Sequence, residues 1–528
     1  MSITRLSAVR VPGRHFLTIL VKSVTNVRAY NFYTADEAQN YTLGCINSAS
    51  LINSGVDHHI AECGITERNQ DSTALAEEEI NYRNNNICIG CGLCAALCPQ
   101  DTLAMQWNQY GEYNPVEVNP CTTECGLCLK VCPFANSGEN EDTVGERLYG
   151  AVPGIQHRSE TGYYLASYVG YSERHRPTSA SGGMATWLLE ALLAEGIVDH
   201  VICVAPTGDP EKLFAFRVFD TPEDVRTGAG SAYYPVELSG IIRQVLEVPG
   251  RYAVTGLPCF IKALRLAQQR NKKLRERIVV TVGLVCGQLK SRHFTDYIAA
   301  LAGVRGEVAA VRYRGKSPDH PASNYHYTFT TADGEERRIF WTEGIAEAWT
   351  NRWFTPRACS YCDDVFAECA DVTCMDAWLP EYSRDSRGTS LLLVRSPAVR
   401  EVLERGQGAR LDPIPIEWVV QSQAGVVAVK REHLAYRLYL DRDVPEKRVA
   451  PGRPKNPFLW QEVVLKERMR VLSRDLWSTG ERDGERLREA MGPDLGRLAV
   501  ERRISKIITF PVRTLRYIRR KVGGSNRG

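Results

Sequence analysis

The chain has 528 residues, of which 44% are hydrophobic, so it is long enough for two to four domains with buried cores. Its 65 Lys and Arg residues nearly balance its 62 Asp and Glu residues, which argues against a dedicated nucleic-acid binder. No apolar run approaches the ~18 residues of a membrane span. The 17 cysteines indicate a reducing compartment, so we expect a cytoplasmic protein. From the charge balance we expect no nucleic-acid partner.

The segment 1–80 precedes the first cysteine-rich motif and has no recognisable pattern. No acidic residue occurs before Asp36, a bias that organelle transit segments share. A poorly ordered extension explains the same bias and is the interpretation that we favour. Cys45 and Cys63 have no ligand spacing, so we expect free thiols there.

Residues 81–140 contain two cysteine runs with ferredoxin spacing. The first has the pattern C-x2-C-x2-C-x3-C-P, and the second repeats it with one extra residue after its first cysteine. Three close cysteines hold three corners of a 4Fe-4S cluster, and in two-cluster ferredoxins the fourth cysteine ligates the other cluster. A disulfide knot and paired zinc sites are the weaker alternatives. The predicted ligands are Cys88, Cys91, Cys94 and Cys132 for cluster one, and Cys98, Cys121, Cys125 and Cys128 for cluster two.

Residues 141–175 are predicted to be a linker, and 176–445 a larger domain. Its predicted strands at 201–205, 252–256 and 278–285 alternate with helices, which indicates an α/β layer with parallel strands. We also predict a strand at 418–429 and a basic helical tail at 446–528. The expected fold is therefore α+β or α/β: a small ferredoxin-like domain, a larger α/β domain and a helical tail.

Two features of the larger domain suggest an anion site. Ser181, Gly182 and Gly183 precede a predicted helix, where backbone N–H groups and the helix dipole favour an anion, although an N-cap is the commoner role. Lys316 follows a short cationic strand, and it anchors either a phosphate or acidic substrate, or it lies on a solvated hairpin edge.

Six further cysteines are candidates for another metal site. Cys359, Cys362, Cys369 and Cys374 fall within sixteen residues, a density typical of a metal site or redox dithiol. Cys259 and Cys286 follow the carboxyl ends of two predicted strands, where open α/β sheets place ligands. A lone buried cysteine is nevertheless more often a small hydrophobe.

These motifs, in this order, resemble the family of coenzyme F-420 hydrogenase/dehydrogenase beta subunits over roughly residues 82–440. The resemblance rests on the ferredoxin pair, the Ser181–Gly183 helix start, Gly256–Cys259, Gly283–Cys286, Cys359-x2-Cys362 and Ala370–Trp378. It implies a flavoprotein whose FAD exchanges a hydride with a deazaflavin while 4Fe-4S clusters carry single electrons. By resemblance, Ser181, Gly182 and Gly183 approach FAD, with Lys316 as a further contributor. Also by resemblance, Cys359 and Cys362 hold a third 4Fe-4S cluster with Cys259 and Cys286, whereas nearness in sequence nominates Cys369 and Cys374.

The same resemblance leaves the substrate open. The family includes ferredoxin-dependent reductases of chlorophyll derivatives and members associated with polysaccharide synthesis, and Ala232 stands where many relatives carry a lysine. A ferredoxin-dependent reductase of another substrate, or a non-catalytic electron-transfer subunit, is therefore the alternative. We expect a redox partner protein or ferredoxin, a small hydride donor or acceptor, and a homo-oligomer or complex subunit. The basic amphipathic segment 502–528 suits an anionic membrane face or a partner.

Overall fold

The computed structural model describes residues 2–11, 14–22, 27–34, 87–123, 125–135, 138–441, 444, 447–479 and 482–523. The first three ranges and 506–523 are described as backbone elements alone. The chain divides into two compact units, residues 1–77 and 78–528.

The first unit contains an antiparallel sheet of three strands, β1 (Ser2–Val11), β2 (Arg14–Lys22) and β3 (Val27–Thr34). The interpretation of residues 1–80 as a poorly ordered extension missed these strands, which are rich in β-branched and aromatic residues that favour a sheet. Cys45 and Cys63 lie outside the described residues.

The second unit combines strands and helices. Its strands are β4 (Leu103–Trp107), β5 (Tyr113–Glu117), β6 (Gln156–Arg158), β7 (Gly162–Tyr164), β8 (Ala166–Tyr171), β9 (His200–Pro206), β10 (Phe214–Phe219), β11 (Tyr252–Gly256), β12 (Ile278–Leu284), β13 (Val308–Gly315), β14 (His326–Thr331), β15 (Glu336–Phe340), β16 (Val372–Asp376), β17 (Ser390–Val394) and β18 (Arg410–Pro413). Its α-helices are Leu93–Ala96, Leu127–Lys130, Glu141–Tyr149, Met184–Ala194, Pro222–Val225, Ser239–Glu247, Pro258–Arg270, Lys272–Arg277, Arg292–Leu301, Ile345–Thr350, Pro380–Ser383, Pro397–Arg405, Ile416–Ser422, Ala424–Ala428, Leu434–Leu440, Pro457–Thr479 and Gly484–Gly523. Short 3-10 turns lie at Arg226–Gly228, Trp341–Glu343 and Arg357–Tyr361, and a π-helical turn lies at Val429–His433.

An eight-stranded mixed sheet organises this unit, with the order β10-β9-β11-β12-β16-β17-β8-β18. Strands β9, β11, β12 and β16 are mutually parallel, as predicted, whereas the strands on both flanks pair antiparallel. Alternate residues enter two different cores: Ile202 and Val254 face one, and Val201 and Ala253 face the other. Both faces of the sheet are therefore covered, as parallel strands require.

The ferredoxin-like region packs directly on the α/β layers. Leu93 and Val131 are fully buried in the same apolar core as Leu238 and Ile242. The N–H of Leu238 donates to the carbonyl of Cys91 at 3.0 Å. The two short helices of the ferredoxin-like region and the β4–β5 hairpin thus share a core with the larger domain.

The predicted strand at 418–429 is wrong. Residues 416–422 and 424–428 are helical, and Pro415 stands at the N-cap of the first of these helices. Ile416 and Val419 are buried while Trp418 is 39% exposed, so burial follows a spacing of three residues and favours a helix over a strand.

The segments flanking the larger domain are more structured than predicted. The supposed linker 141–175 contains the helix Glu141–Tyr149, begun by a capping box between Asn140 and Thr143, and β8 within it belongs to the large sheet. The helix Pro457–Thr479 buries Met469 and Trp477 in the main core. In the part of the chain that the structure describes, no helix is long and apolar enough to cross a membrane.

Candidate functional site

The first group of thiols lies in the ferredoxin-like region. Gly90 has φ +73°, and a Cβ there would lie 2.7 Å from the carbonyl oxygen of Tyr113, so only glycine fits this turn. Burial raises the pKa of Cys88 to about 11 and that of Cys94 to about 12, and the nearby Cys132 thiol adds to both shifts. Burial likewise raises the pKa of Cys91, with Cys94, Cys132 and Cys88 contributing.

The structure therefore brings Cys132, from the second motif, to the three close cysteines of the first. Buried thiols that resist ionisation need a metal to become thiolate ligands. Ligation of cluster one by these four cysteines stays a prediction.

The second predicted group lies nearer the surface. Cys121 and Cys125 are exposed, and Cys128 and Cys98 are half-buried. Cys98 accepts a hydrogen bond from the N–H of Thr102 at 3.3 Å. Burial opposes its ionisation, but hydrogen bonds from Gln100 and Thr102 outweigh burial and lower its pKa. Ligation of cluster two by these four cysteines stays a prediction.

The inner thiols, Cys259, Cys286, Cys359 and Cys362, form a separate group at the edge of the large sheet. Cys259 and Cys286 follow β11 and β12, which are parallel neighbours, and the 3-10 turn at 357–361 supplies Cys359. Burial raises the pKa of Cys259, and the other three thiols raise it further. Burial also raises the pKa of Cys286 to about 12, with Cys359 and Cys362 among the contributors.

The alternative pair lies elsewhere. Cys369 packs with Ile261 and Leu266, and Cys374 packs in the core beneath β16. Which cysteines ligate a third cluster stays a prediction. Among the described residues no group of three His, Cys, Asp or Glu side chains is spaced to hold a metal ion.

Three buried cations surround the inner thiols. Lys430 Nζ lies 2.9 Å from Cys362 Sγ and 2.6 Å from the carbonyl oxygen of Asp364. Lys290 is fully buried and donates to the carbonyl of Trp353 at 2.7 Å and to Thr355 Oγ1 at 3.1 Å.

Arg352 is the third of these cations. It is 4% exposed and donates to Ser360 Oγ at 3.2 Å. Ser360 lies between Cys359 and Cys362 in the sequence. In the described part of the chain none of the three cations forms a salt bridge with a carboxylate. Uncompensated buried charges cost several kcal/mol each, so the donor set fits an anionic group such as a cluster with four thiolates.

A second candidate site lies at the loop before the helix Met184–Ala194. Gly183 has φ +81°, and a Cβ there would lie 2.7 Å from the Cβ of His175. A Cβ on Gly182 would lie 2.6 Å from the carbonyl oxygen of Gly170. The glycines thus let the loop lie directly against the ends of β8 and β17.

Cations line this loop. Lys316 Nζ donates to the carbonyl of Ser181 at 2.7 Å and also to that of Arg176. Arg314 donates to the carbonyl of Ala180 at 3.2 Å and pairs with Asp376 at 2.9 Å. Burial and the charges of Arg176 and Arg314 lower the pKa of Lys316 to about 7.

In the part of the chain that the structure describes, three buried polar atoms at this loop have no hydrogen-bond partner: Arg176 Nη1, Arg314 Nε and Ser179 Oγ. All three can donate hydrogen bonds. Buried donors are nearly always satisfied, so their orphaned state fits a phosphate-bearing ligand.

The predicted anion-site residues turn out to support the loop from within. Ser181 Oγ donates to the carbonyl of Thr389 at 2.7 Å, and the Gly182 N–H donates to Ser390 Oγ at 3.0 Å. The sequence prediction missed Arg176 and Arg314. Arg176 lies just before the loop in sequence, and Arg314 belongs to the cationic strand that drew attention to Lys316, but only the fold shows that both side chains are buried at the loop.

The two candidate sites lie on one edge of the sheet. The carboxyl ends of β11 and β12 carry Cys259 and Cys286, and the parallel neighbour β16 ends at Asp376, the partner of Arg314. Asp376 pairs in register with Ser390 of β17, which pairs with Gly170 of β8. Open α/β sheets bind ligands at this edge.

Comparison with known families agrees with this arrangement. Residues 167–243 match the N-terminal model and residues 250–412 the C-terminal model of the coenzyme F-420 hydrogenase/dehydrogenase beta subunit. Over these two segments the chain is similar to this family of beta subunits. Residues 87–136 match a 4Fe-4S dicluster domain.

Individual relatives are distant. One of the subunits of the F(420)H(2) dehydrogenase of Methanosarcina mazei is 24% identical over 212 residues, 38% of this chain and 54% of that protein. An uncharacterized protein of Methanocaldococcus jannaschii is 26% identical over 230 residues, 38% of this chain and 60% of the relative. The chain thus spans just over half the length of these curated relatives. A solved chain of the F-420-reducing NiFe hydrogenase complex of Methanosarcina barkeri has a TM-score of 0.43 and 17% identity, covering 57% of this chain and 100% of that one.

Proposed function

We propose that this protein is an iron–sulfur flavoprotein oxidoreductase that passes electrons between FAD and 4Fe-4S clusters. Its hydride partner in this proposal is coenzyme F-420 or a related organic substrate. The observation that supports it best is the shared sheet edge, where a cation-lined loop with orphaned donors lies beside a cation-lined group of four thiols. The similarity to the two family models supports the same combination of cofactors.

In this proposal the loop holds the FAD phosphates. Arg176, Arg314 and Ser179 supply the unpartnered donors, and Lys316 fixes the backbone of the loop that carries Gly182 and Gly183. Bound FAD would supply two-electron exchange with a hydride carrier and one-electron exchange with clusters. Because hydride transfer depends mainly on positioning, the chain needs no general acid or base of its own for this step.

The clusters have separate places in this proposal. The inner thiols hold a third 4Fe-4S cluster beside the flavin loop. The two ferredoxin-type clusters carry electrons towards a redox partner protein or ferredoxin. Cys121 and Cys125 are exposed, which suits exchange with an outside partner in a cytoplasmic complex.

The test measures iron, acid-labile sulfide and flavin in anaerobically purified protein. The Cys286→Ser variant should lose one cluster's share of iron and sulfide. The matched Cys374→Ser variant changes a buried cysteine on the neighbouring strand and should lose none. Equal iron content in the two variants would contradict ligation of a cluster by the inner thiols.

A ferredoxin-dependent reductase is the second candidate, and the substitution at Ala232 favours it. Its signature is bound flavin that reduced ferredoxin bleaches and reduced coenzyme F-420 does not. A chain that binds clusters but no flavin would instead be a non-catalytic electron-transfer subunit.

A further inference from the structure

We propose that Lys430 sets the reduction potential of the inner cluster and holds it above the potential of cluster one. The inference deepens the proposed function and rests on it, because it requires that the inner thiols hold a 4Fe-4S cluster. Lys430 is a positioning residue here, since it acts through Cys362.

The contact of Lys430 with Cys362 carries the proposal. The Nζ–Sγ distance is 2.9 Å, and the side chain is 3% exposed. Its other hydrogen-bond partner in the described part of the chain is the carbonyl oxygen of Asp364, a neutral group, and burial raises the pKa of the nearby Asp364 carboxyl to about 7. Hydrogen bonds to the ligand sulfurs are among the factors that set the potential of an iron–sulfur cluster.

A second buried cation acts in the same direction. Arg352 lies nearby with a hydroxyl partner, whereas burial lowers the pKa of Lys290 well below its usual value and favours its neutral form. The N–H of Leu289 donates to Cys359 Sγ at 3.2 Å. Arg352 has φ +65°, so the chain accepts backbone strain at the residue that places this guanidinium. Reduction of a cluster adds one negative charge, which buried cations stabilise strongly in a low-dielectric interior.

In the described part of the chain, no lysine or arginine donates a hydrogen bond to a predicted ligand sulfur of cluster one. Cys88 accepts a hydrogen bond from the N–H of Gly90 at 3.3 Å, a neutral donor. Lys447 and Lys262 influence Cys132 through space, without a hydrogen bond to its sulfur. The inner cluster is therefore expected to be reduced before cluster one.

This ordering has a consequence for electron transfer. A higher-potential cluster beside the flavin loop retains the first electron and sets the driving force for its onward passage. Lys430 thereby controls how readily electrons leave the flavin side of the protein.

The test is a redox titration of the full-length, cluster-loaded protein followed by electron paramagnetic resonance. Cys362→Ala identifies the signal of the inner cluster. Lys430→Met should lower the reduced-to-oxidised ratio of that signal at least tenfold at a fixed solution potential, a shift of about 59 mV for one electron. Lys430→Arg keeps the charge and should retain most of the wild-type midpoint, and the other cluster signals should not move.

Controls separate the outcomes. Lys466→Met removes a buried lysine whose charge Glu462 already balances at 2.7 Å, and it should leave every midpoint unchanged. If Lys430→Met loses the cluster, Lys430→Gln keeps a donor without the charge and should show the same downward shift. An unmoved midpoint with full cluster content overturns the role of Lys430 alone. Unchanged iron and spectra in Cys362→Ala overturn the inner cluster and this inference together.

Discussion

At Gly183 the backbone and its neighbours leave no room for a side chain. Gly208 provides a matched control, because its φ is +79° against +81° for Gly183, yet nothing lies within 4 Å of a Cβ added there. Both Gly→Ala changes incur a left-handed backbone cost of about 1 kcal/mol. Gly183→Ala must also displace His175, so we expect it to unfold at lower urea concentration and to lose flavin.

Flavin content per chain and urea unfolding check this prediction. Gly208→Ala should retain flavin at the wild-type level. Equal flavin in both variants would place the flavin site away from Gly183.

Lys316 gives the anion site a pH dependence. Burial and the neighbouring cations lower its pKa to about 7, so in the unliganded protein it is protonated below that pH and neutral above it. Binding of a phosphate-bearing ligand favours the protonated form. Its Kd should therefore rise by up to about tenfold for each pH unit above 7, until the pKa of the liganded state is passed.

Fluorescence titration with FAD across pH 6 to 9 measures this dependence. Lys316→Met removes the titrating group, so its Kd should vary less with pH. A wild-type slope that persists in this variant would assign the dependence to another group.

Sequence reasoning succeeded at the residue scale where chemistry is local. The spacing of Cys88, Cys91 and Cys94 is enough to predict a cluster motif. Lys430 was missed because it becomes informative only when folding brings it to Cys362. Arg176 lies just before the Ser181 loop in sequence, but only the fold shows that its side chain is buried there.

Among the structural elements, the contacts of Arg448 join three separate segments. Its guanidinium pairs with Glu368 at 2.7 Å, with Asp363 at 3.4 Å and with Glu141 at 3.6 Å. Arg448→Met would leave Asp363 and Glu368 buried without this close partner, while Glu141 would keep Lys262 at 3.2 Å. We expect the free energy of unfolding to fall by about 3–5 kcal/mol.

Chemical denaturation of the Arg448→Met variant checks this, with Arg400→Met as control. Arg400 forms an exposed pair with Glu404, whose loss should cost less than about 1 kcal/mol. Similar losses in the two variants would show that the Arg448 contacts do not stabilise the fold.

The elements predicted best are strands whose continuous apolar sequence matches burial on both faces of the sheet. The strands β9, β11 and β12 are short apolar runs, and each was placed within a residue or two. The helices at 416–428 were mistaken for a strand because their valines suggest a sheet, whereas a spacing of three decides which of them are buried.

At the scale of the whole molecule, the basic C-terminal helix is predicted to dock on an anionic membrane or partner. Deleting residues 506–528 removes its basic end and keeps the Arg502–Glu462 pair, 3.0 Å apart, that fastens the helix to its neighbour. The truncated protein should keep its cofactors and lose co-sedimentation with anionic vesicles. Unchanged co-sedimentation, or none in the full-length protein, would contradict membrane docking.

The domain plan was partly visible in the sequence. Two cysteine runs, followed by alternating strands and helices, predicted a ferredoxin-like region before a larger domain, and the family comparisons agree. The shared core between these regions was not predictable, because it depends on Leu93 and Val131 packing beside residues more than a hundred positions away.

The most direct test of the proposed function mixes anaerobically purified, fully loaded protein with reduced coenzyme F-420 and follows the flavin absorbance. We expect the flavin to bleach and the cluster signals of the reduced state to appear afterwards. Flavin that stays oxidised with coenzyme F-420 but bleaches with reduced ferredoxin would reassign the protein to the ferredoxin-dependent reductases. Clusters without any flavin would contradict the central claim.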